Sequence, residues 1–287
     1  MNDSALPSES TNASDPESAR TRRILILGLI TVSIAGFIIA AGKTHPVGAR
    51  PLTWTNTEHL GDAATETLRV TSFNIHGGKG LDGERNLERI AKLLEGSDIV
   101  GLNEVHHRTF EGTNQAHQLG QRLKLAAAFA PTERRWGRDH FGNGLLSRIA
   151  INDGQQSPLT GTYDDKFRNI ITGNFEWQRQ NVWLLITHID RTRDRKQQLK
   201  AALEMFEKTK TPAILMGDFN TTIDDNLLSS YFKSKSAKDA VGTSADCPQR
   251  IDWILTCGFE VVSSQCVTND ASDHPMVTVE LKLSGNR

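Results

Sequence analysis

The chain has 287 residues, 37% of them hydrophobic and 23% charged, with a formal net charge of −1. This is the composition of a globular protein and excludes a mainly disordered or fibrous one. Near-zero net charge also excludes attraction of a polyanion by the whole surface, while leaving local basic patches open.

Residues 1–23 are rich in Ser, Asn, Asp, Glu and Pro and read as a disordered polar tail. Arg20, Arg22 and Arg23 lead into an uncharged apolar run at residues 24–42, close to the roughly 20 residues a helix needs to cross a hydrocarbon core. Basic residues on its leading edge favour a cytoplasmic N-terminus, with the rest of the chain outside. A cleaved signal peptide is the competing reading, because Ala40, Ala41 and Gly42 are small. The run is long for a cleaved signal, so an uncleaved membrane anchor is favoured. Thr21-Arg22-Arg23-Ile24 also resembles a twin-arginine export signal, a minor weight because paired arginines precede many anchors. Residues 43–66 carry Pro, Gly, Thr and Asn without a period and read as a linker to a globular domain at 67–287.

That domain opens with Leu68–Phe73, which alternates as a half-buried strand does. Leu87, Ile90, Ala91 and Leu94 then fall at helical spacing. Asp98–Leu102, Val182–Ile186 and Ala213–Met216 are short apolar runs of the buried-strand kind. Arg195–Lys208 predicts a helix with Leu199, Leu203 and Phe206 on one side, and Ile251–Leu255 and Val277–Leu281 predict late strands. Periodicity therefore points to a mixed sheet structure with α and β layers. Cys247, Cys257 and Cys266 fit neither a zinc-ligand spacing nor an even disulfide framework, so one bridge with a free thiol and no bridge at all both stand.

Polar residues recur where the apolar strands stop: Asn74 after Phe73, Glu104 after Leu102-Asn103, His188 and Asp190 after Ile186, Asp218 and Asn220 after Met216, and Asp273-His274 before the last strand. One Asn or Asp after a strand is usually a turn former. Together they suggest a shared rim. With Gly142-Asn143-Gly144-Leu145-Leu146-Ser147-Arg148 and Ile251-Asp252-Trp253, these motifs make the chain, from about Leu68 to Leu281, resemble the endonuclease/exonuclease/phosphatase superfamily. That superfamily includes deoxyribonuclease-like enzymes, abasic-site endonucleases, sphingomyelinases and inositol polyphosphate phosphatases. Two departures stand out: Asn103 where many relatives carry Gln, and Ile149 where Pro often follows Ser-Arg. Neither removes a ligand.

The resemblance implies an α+β fold, a four-layer α/β/β/α sandwich of two packed mixed sheets flanked by helices, here preceded by one N-terminal transmembrane or signal helix. It implies a divalent-metal-dependent phosphoester hydrolase. Glu104, Asn74 (as amide ligand or positioner) and Asp273 match the metal-binding positions, an oxygen-rich set suited to Mg²⁺ or Mn²⁺. Asp218 resembles the residue that orients and deprotonates the attacking water, with Asn220 beside it. His274 would touch the scissile phosphate with Asp252 fixing its tautomer, and His188 would donate to a phosphoryl oxygen. Arg168 and Asn143 are assigned to substrate binding.

Other residues are less specific. Arg134, Arg135, Arg138, Arg191, Arg193, Arg195 and Lys196 would form a basic rim if their loops edge the site, and a solvated surface otherwise. His76-Gly77-Gly78-Lys79-Gly80 lacks the Gly-Lys-Ser/Thr ending of a phosphate loop and reads as a loop near the site. The expected partners are a phosphoester (lipid head group, small molecule or nucleic acid) and a membrane reached by the N-terminal segment; no protein partner is implied. An exported or anchored nuclease is the alternative function. A non-catalytic binding module is disfavoured by the intact Glu104, Asp218, Asp252, Asp273 and His274.

Overall fold

A computed structural model describes the chain except residues 1–15, 42, 62–64, 108–111, 136–139, 162–166, 235–236, 244–245 and 286–287. The chain divides into two units, Met1–Gly42 and Lys43–Arg287.

The described part of the first unit is one helix, α1 (Pro16–Ala41). Residues 16–23 are therefore helical rather than part of a disordered tail. Pro16 suits the first helical position and Glu17 faces the positive end of the dipole. The rest of the expected tail lies outside the described residues. Ile24, Leu25, Leu27, Leu29, Val32 and Phe37 are all exposed. Among the described residues no helix is long and apolar enough to cross a membrane. The expected span runs to Gly42, which is itself outside them.

The second unit begins with three two-residue strands, β1 (Lys43–Thr44), β2 (Arg50–Pro51) and β3 (Trp54–Thr55). It continues through β4 (Leu68–Asn74), α2 (Leu87–Leu94), β5 (Ile99–His107), α3 (Gln115–Leu123), β6 (Ala126–Arg135), β7 (His140–Ser147), β8 (Asn152–Pro158) and β9 (Asn169–Trp177). The remaining elements are β10 (Gln180–His188), α4 (Arg195–Lys208), β11 (Ala213–Asp218), α5 (Asn226–Ser234), β12 (Lys238–Asp239), β13 (Asp252–Cys257), β14 (Phe259–Val267) and β15 (Met276–Leu283).

One sheet of eight strands runs β1-β6-β7-β5-β4-β15-β14 with β3 also on β6, and one of seven runs β12-β13-β11-β10-β9-β8-β2. Among the described residues each sheet contains a single parallel pair, β4–β5 or β10–β11, and a parallel pair needs a crossover, here α2 or α4. The register of these pairs places the site: Asn74 lies opposite Asn103, His188 opposite Asp218, and Asp218 opposite Asp252 on antiparallel β13.

The central strands are apolar without a break because both faces are covered. On β11, Ile214 and Met216 enter a core between the sheets, while Ala213 and Leu215 turn toward α4 and α5. On the other sheet, Val70 and Ile99 face the inter-sheet core, whereas Phe73, Val100 and Leu102 pack under α2 and α3 with Ile90, Leu94 and Leu119. Three apolar layers thus lie between four layers of backbone, the α/β/β/α sandwich.

Part of the expected linker differs from that reading. Arg50-Pro51 pairs with β8, and Trp54-Thr55 with β6, and Leu52 joins the inter-sheet core. Isolated apolar residues within a polar stretch carry no periodic signal, yet they suffice to lay the segment onto sheet edges. Cys247 and Cys266 form a disulfide with Cα atoms 6.2 Å apart, and Cys257 takes no part in the bridge.

Gly217, at the end of β11, has φ +140°, and a Cβ there would lie 1.8 Å from the Thr187 carbonyl oxygen on β10. Only glycine lets the two parallel strands approach where Asp218 begins. Gly217→Ala should cost about 3 kcal/mol and lower the melting temperature by roughly 6–12 °C. A thermal melt indistinguishable from the parent would show that the approach is not constraining.

Candidate active site

The first sheet supplies one half of the site. Asn74 ends β4, its Oδ1 accepting the His76 backbone N–H at 3.1 Å. That bond fixes the amide, so its NH₂ faces inward to Glu104 Oε1 (3.3 Å), Asp218 Oδ2 (3.1 Å) and His274 Nε2 (3.4 Å). Of the two roles expected for Asn74, this geometry serves the positioner. Glu104 stands in a bulge of β5 between Leu102 and Val105, at φ +57°. A bulge re-aims a side chain at the cost of local strain, and here it turns a carboxylate toward the cleft. Ser272 donates to the Asn74 carbonyl at 2.7 Å and accepts the His274 backbone N–H at 3.2 Å, holding the Asp273-His274 turn against β4.

The second sheet supplies the other half. Asp218 ends β11 and is buried, its Oδ2 within 3.3 Å of His188 Nε2 and 3.2 Å of Asn220 Nδ2. Asn220 also donates to the Ile189 carbonyl at 2.9 Å, and its backbone N–H meets Asp218 Oδ1 at 2.8 Å. Asp252, fully buried, bonds His274 Nδ1 at 2.8 Å. The Nε2 of His274 is then the nitrogen presented to the cleft, 3.9 Å from Asp218.

Charge states follow from these contacts. Burial pushes the Asp252 carboxyl up to about 7. Burial also opposes the charged form of His274, but the hydrogen bond to Asp252 and the nearby Asp218 and Asp273 raise it to about 9. Around Asp218, burial is outweighed by His188, His274 and the Asn220 N–H, which keep the carboxyl below its ordinary value. At neutral pH the site therefore holds an ionised Asp218 beside a protonated imidazole.

These groups open onto a cleft of about 430 Å³ lined by Glu104, Phe141, Arg168, His188, Asp218 and His274, among others. Arg168 is a partly buried cation of this wall, 5.6 Å above the Phe141 ring and 3.7 Å from Asp190. Asp190 is held by its own loop, where Thr192 donates to it from both N–H and hydroxyl. Asp190 and Arg191, which the sequence placed beside the site, also line the cleft, as does Glu133, which carries no such signal.

Nine of the ten expected site residues converge here. Asn143 does not: it is fully buried, and its amide bonds Asn103 and Asn169 inside the protein. Between two glycines of β7 its side chain points to the inter-sheet interior, so it is no substrate contact. Of the expected basic rim, Arg191 reaches the cleft, while Arg195 turns to the Asn220 carbonyl and Asp225. The side chains of Arg134, Arg135 and Arg138 lie outside the described residues.

The donor set fits a divalent cation. Glu104, Glu133, Asp190, Asp218 and Asp273 line the cleft against the guanidinium groups of Arg168 and Arg191, and clustered carboxylates repel unless a cation sits among them. Asp218, Asp252 and His274 also lie within 4.8 Å of one another. Their mutual hydrogen bonds and those of Asn74 already tie that trio together, while Glu104, bonded by Asn74 through Oε1, and Asp273, 3.4 Å from His76 Nδ1, are the more exposed carboxylates of the cleft.

An acidic, imidazole-bearing cleft at the ends of central strands of two packed sheets is chemically equipped for hydrolysis by a general base. The profile of the Endonuclease/Exonuclease/phosphatase family matches residues 71–274, and the chain belongs to that family. The fold is similar to an endonuclease/exonuclease/phosphatase from Beutenbergia cavernae (25% identity, 77% of this chain and 72% of that one, TM-score 0.65). It is similar too to the human Nocturnin catalytic domain (19% identity, 82% and 99%, TM-score 0.58). A third likeness is to mannosyl-6-phosphatase of Bacteroides thetaiotaomicron (19% identity, 75% and 99%, TM-score 0.57). No curated protein matches the chain in sequence at a significant level.

In the metal-free protein, NMR should find the His274 imidazole titrating near 9. Asp252→Asn should lower it by roughly one unit or more, because the raising partner is gone. An unchanged titration in the variant would dissolve the pair.

Proposed function

We propose that the protein is a divalent-metal-dependent phosphoester hydrolase acting outside the cytoplasm. The observation that carries the reaction is the convergence, from two sheets, of Glu104 and Asp273 with Asp218 and the Asp252–His274 pair on one cleft. Asp218, ionised and held by three donors, orients a water and takes its proton as the water oxygen attacks phosphorus. His188 and the protonated His274 donate to the non-bridging oxygens, and Asn74 and Asn220 fix Asp218 in the line of attack. The ester P–O bond breaks opposite the new bond, and the leaving oxygen takes a proton from solvent. Glu104 and Asp273 would hold Mg²⁺ or Mn²⁺, which supplies charge neutralisation at the phosphoryl oxygens. Arg168, backed by Phe141, faces the anionic substrate.

The compartment rests on two independent features. The Cys247–Cys266 bridge suits an oxidising environment. Helix α1 exposes apolar side chains on every side, and its Thr31 hydroxyl is bonded to the Leu27 carbonyl at 2.8 Å, as suits a helix in apolar surroundings. The full chain should therefore partition with membranes and a chain starting at Lys43 should not. Recovery of both in the soluble fraction would remove the anchor.

Activity should require Mg²⁺ or Mn²⁺ and stop with EDTA. Asp218→Asn should lower kcat by about 10³-fold or more, with the melting temperature within a few degrees of the parent. A panel of supercoiled plasmid, phospholipid vesicles and small phosphomonoesters and diesters separates the readings. Metal- and Asp218-dependent plasmid nicking would make nucleic acid the substrate. Near-normal turnover of Asp218→Asn on every member would sink the mechanism.

A further inference from the structure

The two carboxylates that matter most, Glu104 and Asp218, lie on different sheets, and the apolar core between the sheets has no direction that could fix their separation. A line of buried amides does. The Asp218 backbone N–H donates to Asn103 Oδ1 at 2.8 Å. Asn103 Nδ2 in turn donates to Asn143 Oδ1 (2.8 Å) and to the Thr187 carbonyl (3.1 Å). Asn143 Nδ2 donates to Asn169 Oδ1 at 2.8 Å, and Asn169 Nδ2 to the Ala130 carbonyl at 3.0 Å. The Thr187 hydroxyl closes the array on the Asn169 carbonyl at 3.0 Å. Asn103, Asn143 and Asn169 are exposed by 0%, 0% and 3%, so no water competes for these bonds.

We infer that Asn103, Asn143 and Asn169 are positioning residues that set the distance between Glu104 and Asp218 across the two sheets. The inference rests on the phosphoester-hydrolase reading through turnover in its kinetic arm, and on Glu104 as an ion ligand in its Mn²⁺ arm. Three features argue for positioning rather than general stability. The array ends on the backbone N–H of Asp218 itself. Its first member is the chain neighbour of Glu104 and sits in the same bulge. Its members are uncharged, so they fix geometry without adding a field to a site whose charge states are already balanced. A buried polar network of this sort is costly when partly satisfied and directional when complete, which apolar packing of similar volume is not. The same Thr187 carbonyl that excludes a Cβ at Gly217 accepts from Asn103, so strand approach and amide array constrain one point.

The test is a graded series in the full chain, Asn103→Ala, Asn143→Ala and Asn169→Ala, against Asn174→Ala. Asn174 is a buried amide on the same strand as Asn169 that bonds Asp153 instead. Hydrolysis of a p-nitrophenyl phosphodiester and calorimetric Mn²⁺ affinity are both read well below the melting transition. The expected kcat losses fall with distance from Asp218, about 100-fold, 10-fold and threefold, with KM changed less than threefold. Mn²⁺ affinity should fall about tenfold in Asn103→Ala, and Asn174→Ala should lose only thermal stability. All three array variants matching Asn174→Ala in kcat and Mn²⁺ affinity would overturn the inference. Were the parent inactive on every phosphoester, the functional reading would fail, and the Mn²⁺ affinities would still decide the role of the array.

Discussion

Asp218 and Asp252 stand opposite one another on paired strand ends in the protein interior, and two carboxylates so placed repel unless something positive lies between or beside them. The surrounding structure answers that constraint. His274 bridges toward both, His188 approaches Asp218 from the neighbouring parallel strand, and Asn74 reaches across from the other sheet with its NH₂. The His274 imidazole supplies the charge and the amides supply direction. Both sheets must end at the same level for this to work, which is why the register of β4–β5 and of β10–β11 matters more to the site than any loop.

The two halves also divide their labour by burial. On the second sheet the groups are deep, and their protonation is set by desolvation and by each other. On the first sheet Glu104 and Asp273 are less enclosed, Asp273 about half exposed. A gradient from solvated carboxylates to buried ones thus runs across a single cleft.

Much of this was legible in the sequence where strong local patterns coincide with tertiary structure. Helices Leu87–Leu94 and Arg195–Lys208 show apolar residues at helical spacing, and both form as expected. The apolar runs 182–186 and 213–216 are central strands because only buried strands tolerate unbroken hydrophobicity. Elements without such a signature are invisible: Gln115–Leu123 is a helix whose buried face includes Gln115 and Gly120, and Asn152–Pro158 is a polar strand near a sheet edge. Ala126–Ala130 has helical propensity, yet pairing with β7 makes it a strand. The site residues were readable because they follow strand ends in motifs, but a motif does not say which way a side chain points. Asn143 shows the limit: its type suggested a ligand contact, and its place between two glycines in a central strand sends it into the interior. The disulfide was one of two open readings, because pairing depends on where β14 lies relative to the 240–250 segment, a distance no spacing contains.

The composite origin of the site has a consequence for how the protein matures. Each sheet can gather its own parallel pair around its own crossover helix, but Glu104, Asp273 and His274 come with one and Asp218, Asp252 and His188 with the other. Contacts between the halves join residues more than a hundred positions apart, as Asn74 and Asp218 do, and such distant closures come late in folding. The cleft should thus assemble only in the final docking of the two sheets, so that a chain caught partway through folding lacks it.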